Sequence, residues 1–305
     1  MIHNFEEARK RAMELKPVKM AVVSAGDKAV LDAVFQATKD GFVHPILIDT
    51  PESIQKESQG KFPLDDVEII PIQGKTEQCQ KGLELINNGS ADILMKGLIP
   101  TPILFKEVLN KEYGIRKGKI LSHVGVIKSP VYHKMILMTD GGICIAPTLE
   151  EKIEILKNAL EVSQGLEIDY PKVAAISAVE TVSLKMQSTI DASILTTMNR
   201  RKQIPGCIIE GPLAIDNAVS AEAAEHKGIH SEVCGDVDIT LMPNIESGNI
   251  FYKVLVYLGG GKTESAGVTL GAKVPIVVPS RADTPENKYN AILIAALMSA
   301  AKTKN

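Results

Sequence analysis

The sequence predicts an α/β fold built as two three-layer units, each around a mostly parallel sheet, with a cleft between them. Three observations carry this. Short apolar, β-branched runs alternate with amphipathic segments along most of the chain, the pattern of parallel strands joined by crossover helices. At 305 residues the chain has about twice the usual length of one domain. No flexible linker divides it, so the two units are expected to form a rigid pair.

Taken in order, 20–23 is the first strand, and 27–40 the helix that follows it, stopped by Gly41. The alternation repeats as 45–48 then 51–59, 67–72 then 76–88, and 92–95 then 102–109. It is interrupted once. Residues 119–127 and 134–138 are both β-like, and Ser129-Pro130 between them reads as a hairpin turn. A helix over 149–164 resumes the pattern, followed by strands at 173–176, 207–209, 239–242 and 276–278. The last helix, 284–301, is expected to return to the first unit. The expected division is therefore 1–141 with 272–305, and 142–271. The longest apolar stretch, 291–301, falls well short of the roughly 20 residues of a membrane span, so it is a buried helix.

Composition excludes several classes. Lys and Arg number 34 against 37 Asp and Glu, with 4% aromatics and no Trp, which gives neither the basic surface nor the stacking platforms of a nucleic-acid binder. A 45% hydrophobic, 23% charged chain is not disordered. The four cysteines are too sparse for a disulfide framework and read as thiols. Residues 1–11, with Glu6 and Glu7, are unlike a signal peptide. A cytoplasmic protein without membrane partners is expected.

In parallel sheets, ligands bind beyond the carboxyl ends of strands, where helix N-termini attract anions. Two such ends are rich in polar groups: 243–249, and 280–287, which joins a strand to a helix marked by a Thr284 cap and Pro285 at its first position. There Arg281 offers a planar fork suited to phosphate, and the Ser280 hydroxyl a further donor. The alternative is that Arg281 pairs with Asp283 or Glu286 on the surface. Other motifs fail. Gly259-Gly260-Gly261-Lys262-Thr263 lacks the leading glycine of a phosphate loop, because Val256 holds that position, and it follows a helix. His226, His230 and Cys234 have a metal-like spacing, which Gly228 and Gly235 interrupt. One glycine, Gly26, follows the first strand, so no dinucleotide fingerprint exists there. The segment 265–271 is expected to be a turn into the next strand, and Cys144 and Cys207 to be packing residues.

Asp236 to Lys253, with Pro275 to Arg281, closely resembles the phosphate acetyl/butyryltransferase family. Glu210-Gly211-Pro212-Leu213-Ala214-Ile215-Asp216 is similar to that family's acidic-GPL-acidic segment, and Ala91 to Gly97 with Thr101 to its first-domain loop. The resemblance spans about 18–300. Met95-Lys96-Gly97 and Leu121-Ser122-His123-Val124 look more like the butyryl enzymes than the acetyl ones.

The resemblance implies a fold like that of isocitrate and isopropylmalate dehydrogenases, in a dimer or larger homo-oligomer. It also implies exchange of acyl-CoA and phosphate with acyl phosphate and CoA, both substrates, with no cofactor or metal. Arg281 would hold the phosphoryl group and Ser280 the developing oxyanion. The family's acetyl enzymes carry an Asp seven residues beyond the serine as candidate base. Here that residue is Asn287, which cannot take a proton, so Glu286, Asp283 or solvent is left for the role. Lys96, Gly97, Thr101, Ser122, His123, Glu246, Asn249 and Lys253 are the implied substrate contacts. Three alternatives stay open: an acetyl-specific enzyme, a cleft-binding subunit without chemistry, and a dehydrogenase, against which stands the lack of paired metal-binding aspartates.

Overall fold

The computed structural model describes residues 1–259, 261–280 and 282–302. After α1 (Phe5–Met13), strands and helices alternate: β1 (Val18–Val23), α2 (Lys28–Lys39), β2 (Val43–Ile48), α3 (Pro51–Ser58), β3 (Glu68–Ile70), α4 (Lys75–Asn87), β4 (Ile93–Lys96) and α5 (Thr101–Val108). Local chemistry sets these boundaries. The Asp27 carboxylate accepts from the Val30 amide, and the Thr50 hydroxyl from the Ser53 amide, each satisfying an amide that the helix start leaves open.

The hairpin strands β5 (Ser122–Lys128) and β6 (Ile136–Thr139) follow, then α6 (Leu149–Gly165), which a Thr148/Glu151 capping box starts. Next come β7 (Lys172–Ile176), α7 (Gln187–Arg200), β8 (Ile208–Leu213), α8 (Ile215–Val219), α9 (Ala221–His226), β9 (Ile239–Leu241) and α10 (Ile245–Leu258). The chain closes with β10 (Glu264–Leu270), β11 (Ile276–Val277) and α11 (Pro285–Lys302).

Two compact units result: Phe5–Lys119 with Ala266–Asn305, and Met1–Asn4 with Ile120–Ser265. In the first, the strand order is β3-β2-β1-β4-β11-β10, parallel as far as β11 and antiparallel at β10, with Thr269 opposite Ile276. Helix α11 lies against α1 and α2 of the same unit. The Tyr289 hydroxyl donates to Asp40 at 2.6 Å, its ring meets Phe42 edge-on, and Ala291 to Met298 are buried.

In the second unit the order is β5-β6-β9-β7-β8, antiparallel at the hairpin and parallel elsewhere. Ile127, Met138, Ala174, Leu213 and Val237 share its core. Strand β6 pairs with β9, Leu137 opposite Ile239, so the whole hairpin belongs here. The chain accordingly changes unit at 119/120 and 265/266, where the sequence reading placed 141/142 and 271/272.

A second difference concerns 265–271. Expected as a turn, it is strand β10 through Leu270, with Ser265, Ala266, Val268, Thr269 and Leu270 buried. Small and β-branched side chains suit a strand packed on both faces. The turn begins only at Gly271, at φ +92°, a value that favours glycine.

Candidate active site

The strand ends of the first unit converge on a cavity of about 190 Å³. Asp27, Lys96, Gly97, Pro279, Ser280 and Lys288 are among its lining residues. Lys96 ends β4 with 6% of its surface exposed, and its ammonium donates to the Gly97 carbonyl at 3.4 Å. Gly97 is required by close approach: a Cβ there would lie 2.1 Å from the Ser24 carbonyl oxygen. The Gly97 and Leu98 amides donate to Val23 and Ser24 carbonyls at 2.8 Å each, fastening the end of β4 to that of β1.

Ser280 stands exposed just beyond β11. Its amide donates to the Asp283 carboxylate at 2.7 Å, and its hydroxyl accepts from the Ala282 amide at 3.3 Å. The Thr284 hydroxyl accepts from the Asn287 amide at 3.1 Å, the cap that the sequence predicts. Asn287 is half-buried and Glu286 exposed in the first turn of α11, and neither lines the cavity. Thr101 starts α5, also away from the lining. Arg281 lies outside the described residues, as does Gly260 of the rejected phosphate loop.

Sequence reasoning missed Lys288, which is 3% exposed and lines the same cavity. Its ammonium donates to the carbonyls of Ser280 and Asp283 at 3.2 and 2.6 Å. The signal available was a lysine one turn into a helix after a strand-end loop.

The remaining expected contacts belong to the second unit. Ser122 is buried, its hydroxyl accepting from the Asn158 amide group at 2.8 Å. The His123 ring packs edge-on to Tyr252. Asn249 donates its side-chain amide to the Gly141 carbonyl at 2.9 Å. Glu246 and Lys253 are exposed on α10. What organises this corner is a residue the sequence reading did not single out. The buried Asp140 carboxylate accepts from the Gly142 and Ile143 amides at 2.6 and 3.0 Å, and from those of Cys144 and His123 at 3.2 and 3.1 Å. An Asp followed by two glycines directly after a strand was the signal.

Among the described residues, no group of three His, Cys, Asp or Glu is placed to hold a metal ion. The His226 to Cys234 segment is broken where expected, with α9 ending at His226 and Gly228 at φ +68°. Burial pushes the Cys144 thiol up to about 12, helped by Asp140, and that of Cys207 up to about 11. Neither suits a nucleophile at neutral pH, as the packing role anticipated.

A cationic pocket beyond the strand ends of a parallel sheet defines an α/β protein equipped to handle an anionic ligand. Comparison with known proteins makes the class specific. The family model for phosphate acetyl/butaryl transferase matches residues 72–296. A phosphate butyryltransferase of Clostridium acetobutylicum is 42% identical over 303 residues, covering 99% of this chain and all of that one. A phosphate acetyltransferase of Thermotoga maritima is 40% identical over 285 residues, 93% of this chain and 96% of that one. The crystal structure of a branched-chain phosphotransacylase from Enterococcus faecalis superposes with a TM-score of 0.83 at 32% identity, covering 92% of this chain and 99% of that one. The chain belongs to the phosphate acetyl/butaryl transferase family, and membership makes it a phosphate acyltransferase. A 4-hydroxythreonine-4-phosphate dehydrogenase of Klebsiella pneumoniae, at 9% identity and a TM-score of 0.58 over 93% of this chain and 99% of that one, shares the fold alone. The dehydrogenase-like α/β architecture expected from the sequence is thus the one observed.

Proposed function

We propose that this chain transfers a butyryl group, or another short or branched acyl group, between CoA and phosphate. The observation that carries the reading is the cavity at the Ser280 corner, where buried Lys96 supplies positive charge beside a serine hydroxyl. A phosphate oxygen attacks the thioester carbonyl carbon; the new C–O bond forms, the C–S bond breaks, and CoA leaves as a thiolate that takes up a proton. Both substrates are bound together, so the transfer is direct and needs no acyl-enzyme. In this reading Arg281 holds the phosphoryl group and Ser280 donates to the carbonyl oxygen as charge builds on it. Asp283, whose carboxylate also accepts from the Ser280 amide, exposed Glu286 and solvent are the candidate proton acceptors. Lys96, Gly97 and Thr101 are the proposed substrate contacts of the first unit; Ser122, His123, Glu246, Asn249 and Lys253 stay proposed as contacts on the family resemblance alone.

The butyryl and branched-chain relatives support a chain longer than acetyl; an acetyl preference is the second reading, favoured by the acetyltransferase at nearly equal identity. We also propose a homodimer or larger homo-oligomer, supported by Ile250, Val254, Tyr257 and Leu258 of α10, all exposed and at helical spacing. A cytoplasmic location agrees with four cysteines held as thiols. Among the described residues no helix is long and apolar enough to cross a membrane.

The test is thiol release from acetyl-, butyryl- and isobutyryl-CoA with and without phosphate. Phosphate-dependent release, fastest with a C4 chain, is expected; release without phosphate, or none with any short acyl-CoA, would overturn the proposal. Arg281→Ala should lower kcat/KM for phosphate at least about a hundredfold, the scale of a bidentate charged contact of ~3 kcal/mol. Near-normal turnover in that variant would make Arg281 a surface ion-pair residue.

A further inference from the structure

We propose that Lys288 is a phosphate-binding residue of this enzyme, one that also clamps the loop carrying Ser280. The inference rests on the acyltransferase reading above and adds to it a residue that neither motif nor spacing singled out. A lysine ammonium has three N–H donors and no acceptor. In Lys288 two of them go to the carbonyls of Ser280 and Asp283. The side chain is almost wholly buried and yet lines the 190 Å³ cavity that Lys96 and Ser280 also line.

A buried cation is costly unless compensated, and neutral carbonyls compensate a full charge only in part. Asp27 is the carboxylate on the same lining, and its Oδ1 accepts from the Val30 amide at 2.8 Å as the cap of α2. With Lys96 and Lys288 both present, the described lining carries two positive charges against one negative. An inorganic phosphate anion in the cavity would be drawn by that excess positive charge and would fill the third donor of Lys288. The two carbonyl bonds then have a purpose, because they fix the ammonium at the foot of the Ser280 loop. Binding charge and oxyanion donor are held in one frame.

The experiment uses the full chain and inorganic phosphate as probe. Phosphate binding is measured by titration calorimetry, and initial rates give KM for phosphate and for butyryl-CoA separately. Lys288→Met removes charge and donors at nearly constant length; Lys288→Gln removes the charge while keeping two N–H donors on a shorter side chain. Both variants are expected to weaken phosphate binding and raise KM for phosphate about thirtyfold or more, the scale of a lost charge-assisted hydrogen bond. KM for butyryl-CoA should stay within about threefold, and Lys288→Arg should recover most of the phosphate affinity.

Equal losses toward both substrates, unchanged phosphate affinity in Lys288→Gln, or failure of both variants to fold would each overturn the proposal and leave Lys288 a structural clamp. Parent protein that binds phosphate but turns over no acyl-CoA would fail the acyltransferase reading, and the calorimetric comparison would still decide the role of Lys288.

Discussion

The corner after β11 in one unit and the corner after β6 in the other both present amide donors and a following helix beyond parallel strands, and they use them oppositely. At the second, the protein supplies its own anion: Asp140 takes up four backbone amides. Gly141 and Gly248 close the remaining space, since a Cβ on Gly248 would sit 2.4 Å from the Asp140 carbonyl oxygen. At the first, the charge is inverted. Two buried lysines line an open cavity, and the nearest carboxylates serve as caps for backbone amides. A strand end is left open to an anion where the protein has not already supplied the anion itself.

The largest expected effect breaks the self-filled corner. Asp140→Ala leaves four amides without their acceptor, and each buried orphan donor costs ~1–3 kcal/mol, so even with partial hydration a loss of about 4 kcal/mol is expected. Urea unfolding followed by circular dichroism measures it. A loss below about 1 kcal/mol would mean that water already serves these amides and the contrast between the corners is unreal. Asp140→Asn, which keeps one carbonyl acceptor, should fall between the two.

A smaller effect is expected at the open corner from Gly97→Ala. The added methyl meets a backbone oxygen rather than a flexible side-chain tip. The strand ends must therefore shift, at about 2 kcal/mol for overpacking of this kind. Because Lys96 is the neighbouring residue, KM for phosphate should rise along with the drop in melting temperature. Lost stability with unchanged KM would show that the cavity walls tolerate the shift.

How much of this was readable beforehand differs between fold and site. The strands β1, β2, β4, β7 and β9 were legible because apolar, β-branched runs have few alternatives to a doubly covered parallel sheet. The hairpin was legible from Ser129-Pro130. Strand β10 was not, because Ser, Ala and Gly dominate its first half and read as a turn; the burial that makes it a strand comes from its partners, Ile276 opposite Thr269 among them. At the site, Lys96, Gly97 and Ser280 were legible from the family's motifs and share one cavity. Lys288 and Asp140 were not, since a lysine in a first helical turn and an aspartate in a glycine loop ordinarily face solvent. Only the return of the loop over Lys288, and of the 141–144 amides around Asp140, buries them.

The smallest expected effect sharpens the open corner itself, at Asn287. An amide at the position where the family's acetyl enzymes carry aspartate can donate and accept hydrogen bonds but cannot take a proton, so its part in transfer is orientation. Its backbone amide already belongs to the Thr284 cap, which a side-chain change leaves intact. Asn287→Ala should therefore lower kcat only about tenfold, the equivalent of one neutral hydrogen bond of 1 to 1.5 kcal/mol. Asn287→Asp introduces a base that works only when ionised. As pH falls toward the ordinary aspartate range near 4, that carboxylate is protonated, and the acid side of the rate profile should steepen relative to the parent's. A loss of several orders of magnitude in Asn287→Ala, with phosphate and butyryl-CoA binding intact, would make the amide essential to the transfer step. The division of labour among Ser280, Arg281 and the nearby carboxylates would then be wrong, and Asn287 would belong with the groups that touch the reacting atoms.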